Sequence, residues 1–175
     1  MAVEVDQLYI DMMLPHHGSI VALAEAALPE LTDPRLQEMA QSIIGTQTAE
    51  QQELEQYREE WYGSAEPVAL DQHMMDMMTV AMPSMESSMD AMMNQMSADY
   101  QVATFCAAED PDLAFIDQTF PHHQMAIDAS MDVLEKAVHP EIAEFAQKVI
   151  DAQQQEIDEL TAIRAELTGE GTPVS

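Results

Sequence analysis

Hydrophobic residues recur at helical spacing in two long segments of the chain. In the first segment, alternating steps of four and three residues connect Leu36, Ala40, Ile43, Gln47, Glu50, Leu54, Tyr57 and Trp61. The second segment repeats these steps with Ile142, Ala146, Val149, Gln153, Glu156, Leu160 and Ile163. Such spacing is typical of helices that pack in a bundle. Both helices are predicted to start beside a proline, at Asp33-Pro34 and His139-Pro140, and to end before a glycine, Gly63 or Gly169.

The two segments belong to an internal duplication. The stretch IDMMLPHH from Ile10 matches IDQTFPHH from Ile116, at an offset of 106 residues, and 17 of the 51 positions from Ile10 to Glu60 equal their partners without a gap. A gapless match of this length indicates a repeat. Each copy also contains an earlier helix, at about 6–28 and 111–138, with an interior proline that is predicted to kink it.

Two helical hairpins give four helices, which are joined by a long connection at 64–110. The scarcity of glycine (5 residues) and of aromatic residues (5%) favours helices over sheets. The sequence therefore predicts an all-α fold, a ferritin-like four-helix bundle made of two duplicated hairpins with a long Met-rich crossover. We expect a single domain over 1–175, with internal repeats at 6–62 and 111–167.

Methionine is concentrated in the connection. Ten of the 16 methionines lie between Met74 and Met96, and the segment from Asp71 to Asp99 has no Leu, Ile or Phe. Leucine would pack a core at least as well as methionine, so the sulfur atom is the property that distinguishes methionine from leucine in this segment. Thioethers bind soft ions such as Cu(I) and Ag(I) without losing a proton. A core face and a Met-rich peptide-binding surface are the alternatives.

A His-His pair follows the interior proline in each copy. Met12 and Met13 precede His16 and His17 by four residues, so that each pair shares a helix face. In the second copy, Met125 follows His122 by three residues, and Met131 lies two turns further on. The full set of predicted metal ligands is Met12, Met13, His16, His17, Met39, His73, Met74, Met75, Met77, Met78, Met82, Met85, Met89, Met92, Met93, Met96, His122, His123, Met125 and Met131.

Polar residues interrupt the apolar stripe of each second helix at equivalent places. Gln47 and Glu50 recur as Gln153 and Glu156. Antiparallel pairing within a hairpin places His17 level with Gln47, and likewise His123 beside Gln153. These groups either orient metal-binding imidazoles or only fix the register of the hairpins.

Composition narrows the classes of partner. The net charge of −28 argues against nucleic acid and anionic lipid. No apolar run approaches the length of a membrane span, and the opening MAVEVDQLYIDMML lacks the pattern of a signal peptide. One cysteine, Cys106, excludes an intrachain disulfide.

Three other classes of function compete with metal binding. No nucleophile with a paired base is apparent, so we expect a protein that is not an enzyme. A ferritin-like di-iron protein would need Glu-x-x-His motifs, which do not occur. An acidic, Met-rich protein-interaction module is the other alternative.

The segments YIDMMLPHHGSIV and FIDQTFPHHQMAI, each followed by A-Q-x-(I/V)-I-x-x-Q-x-x-E, resemble the bacterial domain of unknown function numbered three hundred and five, in its duplicated form with a Met-rich middle. The resemblance implies a ferritin-like bundle, a periplasmic or secreted location, and copper binding with a role in resistance. It carries over His16, His17, His122 and His123. Cu(I), with Ag(I) as its surrogate, is the expected ion, which the protein would sequester or carry as a metallochaperone. A copper-transport or efflux protein is the expected partner.

Overall fold

The computed structural model describes residues 4–85 and 89–170, which form seven α-helices. They are α1 (Val5–Ala27), α2 (Pro34–Tyr62), α3 (Gln72–Ala81), α4 (Met89–Gln95), α5 (Ala98–Cys106), α6 (Pro111–Leu134) and α7 (Pro140–Thr168). The predicted all-α class is confirmed, and these residues contain no strand. Helices α1 and α2 pack as one hairpin, α6 and α7 pack as the other, and α1 also packs against α6. The closed four-helix bundle stays a prediction.

Local chemistry explains the ends of the second helix in each hairpin. The Asp33 side chain accepts a hydrogen bond from the Arg35 backbone N–H at 2.9 Å, directly before the proline that begins α2. Gly63 and Gly169 end α2 and α7 with φ of 80° and 73°, a conformation that favours glycine. The first helix of the first hairpin, α1, has its predicted length, whereas α6 ends at Leu134 rather than near Val138. Pro15 and Pro121 lie inside continuous helices.

Each hairpin is held together by an Asp–Arg ion pair at equivalent positions. In the first copy, Arg58 Nε lies 2.6 Å from Asp11 Oδ1, and both side chains are buried. In the second copy, Arg164 Nε lies 2.8 Å from Asp117 Oδ1 at the surface. The buried pair contributes more to holding its hairpin together, because removing one partner there would leave an uncompensated charge.

The two copies also complete each other's turns. Asp6, on α1, accepts hydrogen bonds from the backbone N–H groups of Val138 and His139, at the start of α7. Asp112, at the position equivalent to Asp6, accepts from the N–H groups of Thr32 and Asp33 at the start of α2. This reciprocal exchange is what a twofold relation between the copies produces.

The Met-rich connection folds onto the hairpins. Helices α3 and α5 pack against α1, and Lys136 Nζ on the α6–α7 turn donates to the Ala81 carbonyl at 2.7 Å. The methionines from Met75 to Met96 do not lie on one helix, because α3 ends at Ala81, close to Pro83. No helix in the described ranges is both long enough and apolar enough to span a membrane.

Candidate metal centre

Four buried imidazoles meet where α1 crosses α6. The ring centroids of His16 and His122 are 3.6 Å apart, with 30° between the ring planes. His17 lies 6.2 Å from His16, and His123 lies 6.2 Å from His122. None of the four side chains has solvent exposure. The two His-His pairs therefore form one cluster, which we call the histidine row, with His16 and His122 at its centre.

A carboxylate holds each outer imidazole. Glu50 Oε2 lies 3.0 Å from His17 Nε2, and Glu156 Oε2 lies 2.6 Å from His123 Nε2. Because an ionised carboxylate only accepts hydrogen bonds, Nε2 of each outer ring is the nitrogen that donates to it. A metal would therefore be held by Nδ1 of these rings.

Of the four polar residues at these positions, Glu50 and Glu156 hydrogen-bond the outer histidines, whereas Gln47 and Gln153, which the register placed beside His17 and His123, form no hydrogen bond with them. Side chains of α-helices lean toward the N-terminus of their own helix. In an antiparallel hairpin, His17 and Glu50 therefore lean toward one another. The two side chains meet although the register count places His17 level with Gln47, one turn before Glu50. Gln47 is also buried, and its Oε1 has no hydrogen-bond partner among the described residues.

Ser19 fixes the proton position of a third ring. Its Oγ lies 2.7 Å from the His16 carbonyl, 2.5 Å from the Gln95 carbonyl and 2.9 Å from His122 Nε2. The single hydroxyl proton goes to a carbonyl, which can only accept, so His122 Nε2 donates to Ser19. This residue was missed from the sequence. The available signal was its position three residues after His16, equivalent to Met125 after His122.

Five imidazole nitrogens in the row have no hydrogen-bond partner within the described part of the chain. They are His16 Nδ1 and Nε2 and the Nδ1 atoms of His17, His122 and His123. Buried polar groups in proteins are nearly always paired, so a cluster of unpaired nitrogens calls for a functional explanation. Neutral imidazole nitrogens with free lone pairs are common metal ligands.

The centre of the row is kept uncharged. Burial is the main cause that lowers the pKa of His16 and His122 well below the ordinary value of 6.5, and the neighbouring imidazoles lower it further. At neutral pH both rings are therefore neutral and keep a lone pair.

Buried methionines from three regions of the chain belong to one cluster of the core. This methionine core consists of Met12, Met13, Met74, Met75, Met78, Met82, Met85, Met92, Met96 and Met125. Two neighbours of these methionines lie near the histidine row. Phe145, a member of the same core cluster, has its ring centroid 6.3 Å from that of His17. The carbonyl of Gln95, directly before Met96, meets Ser19 beside His122.

The other predicted ligands lie elsewhere. Met39 belongs to a second core cluster, and Met77 is only partly buried against the first. Met93 and Met131 are exposed by 41% and 47%, and His73 is exposed. The side chain of Met89 lies outside the described residues. Within the described ranges, no three His, Cys, Asp or Glu side chains converge as a metal site, and Cys106 is exposed.

Comparisons with known proteins identify the family and the fold. The family model described as "Domain of unknown function (DUF305)" matches residues 6–164, which confirms the resemblance drawn from the repeated PHH motif. A comparison with curated protein sequences gives no significant match.

Solved structures share the fold over nearly the whole chain. CopM in an Ag-bound form is 27% identical, with a TM-score of 0.69, 92% of this chain and 96% of that chain being covered. CopM in the Cu(I)-bound form gives a TM-score of 0.72 at 24% identity, with 95% and 99% covered. A DUF305 protein from Streptomyces coelicolor, described as secreted, is 17% identical, with a TM-score of 0.68 and 93% of both chains covered.

Proposed function

The chain belongs to the DUF305 family, and we propose that it binds soft monovalent copper, Cu(I), and also Ag(I), through methionine and histidine. In this proposal the metal is cargo, which the protein sequesters or carries in support of copper resistance and homeostasis. The observation that carries the proposal is the row of unpartnered imidazole nitrogens, together with a core of ten buried methionines of which Met12, Met13 and Met125 lie within four residues of the row along α1 and α6.

The donor set favours a soft ion. Structural zinc sites use four ligands that include thiolate or imidazole, and hard cations prefer several oxygens. Here the histidines and carboxylates alone provide no such group within the described ranges. A metal next to the row would need thioether ligands, for which Met12, Met13 and Met125 are the nearest in sequence. Thioether and imidazole together select Cu(I) and Ag(I) over Fe(II) or Mg(II).

The surrounding residues would prepare the imidazoles for binding. Glu50, Glu156 and Ser19 hold the Nε2 protons of three rings, which leaves the Nδ1 atoms as ligands. Oxygen partners of this kind orient imidazole ligands and raise their basicity. His16 has no such partner, so either of its ring nitrogens is available.

The same family relationship supports two further parts of the proposal. The DUF305 relative that is described as secreted favours a protein that acts outside the cytoplasm, in the periplasm or as a secreted protein. We also propose that the protein is not an enzyme, and that it exchanges metal with a copper-transport or efflux protein.

The burial of the methionines bears on the main alternative. A protein-interaction module of the Met-rich kind presents its thioethers on the surface. Ten methionines of this chain are instead part of the core, and of the predicted ligands with described side chains only Met93, Met131 and His73 are exposed.

The test is anaerobic titration with Cu(I) and with Ag(I), followed by mass spectrometry of the intact protein. We expect bound ions in the parent protein and fewer in the double variant His16→Gln/His122→Gln. The exposed His73→Gln is the control, and we expect it to bind as many ions as the parent. The proposal fails if the parent binds neither ion, or if it binds Fe(II) as tightly as Ag(I).

A further inference from the structure

A groove of about 630 Å³ lies between α2 and α7. The α2 wall includes Met39 and Ser42, and the α7 wall includes Glu156 and Glu159. The side chain of Glu156 is 18% exposed, whereas that of Glu50, its equivalent in the first copy, is 5% exposed. Glu156 therefore contacts both the groove and the buried His123, whose Nε2 lies 2.6 Å from its carboxylate. It connects the surface to the histidine row.

The duplication predicts a second groove, which is filled. The positions equivalent to Met39 and Ser42 are Phe145 and Lys148. Lys148 Nζ lies 2.8 Å from Glu53 and 3.8 Å from Glu50, and 4.8 Å from the centroid of the Phe145 ring. The Lys148 ammonium group and the Phe145 ring thus fill the space beside Glu50. In the open groove, the smaller Ser42 hydroxyl and the Met39 thioether line the equivalent space beside Glu156.

Carboxylates outnumber cations along the open groove. Glu38, Glu156 and Glu159 line it together with Arg35, whose guanidinium is paired with Asp33 and Glu166 at 2.7 Å each. A cleft with an excess of one sign of charge raises the local concentration of counter-ions and their rate of entry. The equivalent positions of the closed side, Glu141, Glu144, Glu50 and Glu53, are also acidic, so Lys148 is the charge that distinguishes the two sides. On the closed side, the Lys148 ammonium repels a cation next to Glu50.

We propose that the α2–α7 groove is the route by which a soft monovalent cation reaches the histidine row, with Glu156 at its inner end, and that Lys148 closes the equivalent route beside Glu50. The proposal rests on the proposed function, since it concerns how the metal enters the site. Met39 supplies a thioether on the wall of this route. This role explains why Met39, a predicted ligand, lies apart from the methionine core.

Exchanging the two residues that distinguish the sides tests the route. Ser42→Lys places a cation in the groove, and Lys148→Ser removes the one that closes the other side. Both side chains are at least partly solvent-accessible on long helices, where lysine and serine are tolerated. Gln41→Lys and Gln41→Glu are matched controls, because they make the same changes in net charge at an exposed position outside the groove.

Each protein is mixed anaerobically with Cu(I), and the metal that is still free at set times is trapped with a chromophoric Cu(I) chelator. We expect Ser42→Lys to load on the order of tenfold more slowly than Gln41→Lys, the lower end of steering effects in charged clefts. Lys148→Ser should load faster than Gln41→Glu. Mass spectrometry at equilibrium should show unchanged stoichiometry in all four variants.

The outcomes separate this proposal from the proposed function. Absence of Cu(I) binding by the parent contradicts the function itself. Normal binding with equal rates in Ser42→Lys and Gln41→Lys overturns the groove as the route, and equal rates in Lys148→Ser and Gln41→Glu overturn the role of Lys148. Fewer ions bound at equilibrium by Ser42→Lys alone would overturn a route in favour of a binding site within the groove.

Discussion

Hydrogen bonds to Nε2 decide which nitrogen of each imidazole is available. Glu50 and Glu156 accept from His17 and His123, and Ser19 accepts from His122. His16 differs, since the position equivalent to Ser19 in the other copy is Met125, whose sulfur is a poor hydrogen-bond acceptor. The two copies therefore keep the imidazoles and exchange a hydroxyl for a thioether.

Replacing the carboxylates tests this arrangement. Glu50→Gln and Glu156→Gln keep the shape of the side chain but weaken the acceptor, so His17 and His123 lose their fixed proton position. We expect the affinity for Ag(I) to fall about 10- to 100-fold, as for other residues that orient metal ligands. Competition against a chelator measures this. Glu55→Gln, at an exposed position of α2, should bind as the parent does. Unchanged affinity in Glu50→Gln and Glu156→Gln would mean that the carboxylates only fix the register of the hairpins.

The buried central pair makes the stability of the metal-free protein depend on pH. The pKa values of His16 and His122 are lower in the folded protein than the ordinary 6.5. As the pH falls below about 6.5, the unfolded chain takes up protons that the folded protein does not. The free energy of unfolding then decreases, by up to roughly 3 kcal/mol per pH unit for the two groups together. Above pH 7 they contribute no pH dependence.

Denaturant unfolding between about pH 5 and 7.5 measures this dependence. The matched protein is His16→Gln/His122→Gln, which shares every other titrating group, including the acidic residues that give the chain its charge of −28. We expect the parent to lose stability more steeply than this variant below pH 6.5. Parallel curves would show that the two rings are not neutral in the folded state.

At the scale of helices, the connection shows how the choice of methionine matters. Six methionines of this segment, Met75, Met78, Met82, Met85, Met92 and Met96, are buried in one core cluster although they are divided between two helices and the residues around them. Burial alone would be satisfied equally well by leucine. The sulfur is what a leucine core would lack.

Replacing these six residues by leucine should separate packing from metal binding. Swaps between methionine and leucine usually cost less than about 1.5 kcal/mol each, and leucine is an equally good helix former. We expect the helix content of the parent to be retained and fewer Cu(I) or Ag(I) ions to be bound, as measured by circular dichroism and intact-mass spectrometry. Met93→Leu/Met131→Leu, at exposed positions, should bind as many ions as the parent. Equal stoichiometry in the six-residue variant would limit the metal site to the histidine row and its own methionines.

The elements were more predictable than the contacts. Periodicity, prolines and glycines gave α2 and α7 nearly to the residue, because capping chemistry is local. The register count placed Gln47, rather than Glu50, level with His17, because such a count does not include the lean of side chains along each helix. Ser19 and Lys148 were missed because each acts across the interface between copies. The only signal in the sequence was that each differs from the residue at the equivalent position of the other copy, which is Met125 for Ser19 and Ser42 for Lys148.

At the scale of the whole molecule, the reciprocal caps hold the halves together. Asp6 on α1 accepts from the backbone N–H groups of Val138 and His139, and its carboxylate also lies 2.7 Å from His139 Nδ1. Asp112 accepts from the Thr32 and Asp33 N–H groups and from the Thr32 hydroxyl. Each carboxylate therefore stabilises a turn that belongs to the other hairpin.

We expect Asp6→Ala and Asp112→Ala each to lower the free energy of unfolding by about 1–3 kcal/mol, since each leaves backbone N–H groups without an acceptor. Thermal or denaturant unfolding of the metal-free protein measures the loss. The control is Asp110→Ala, which removes a cap within a single helix, and its cost should be about 1 kcal/mol. Losses for Asp6→Ala and Asp112→Ala no larger than that of an exposed substitution such as Glu55→Ala would show that the exchanged caps do not bind the halves.

The exchanged caps also bear on how such a chain could have arisen. The carboxylates that accept from the Thr32 and His139 N–H groups each come from the other hairpin, so one copy alone could make these hydrogen bonds only by pairing with a second molecule. The folded fraction of such an ancestor would have risen and fallen with its concentration in the cell. Fusion of two copies in one polypeptide removes that dependence. Fusion also lets the two histidine–carboxylate sides diverge. Two identical chains could not have had a serine at this position in one copy, as at Ser42, and a lysine in the other, as at Lys148.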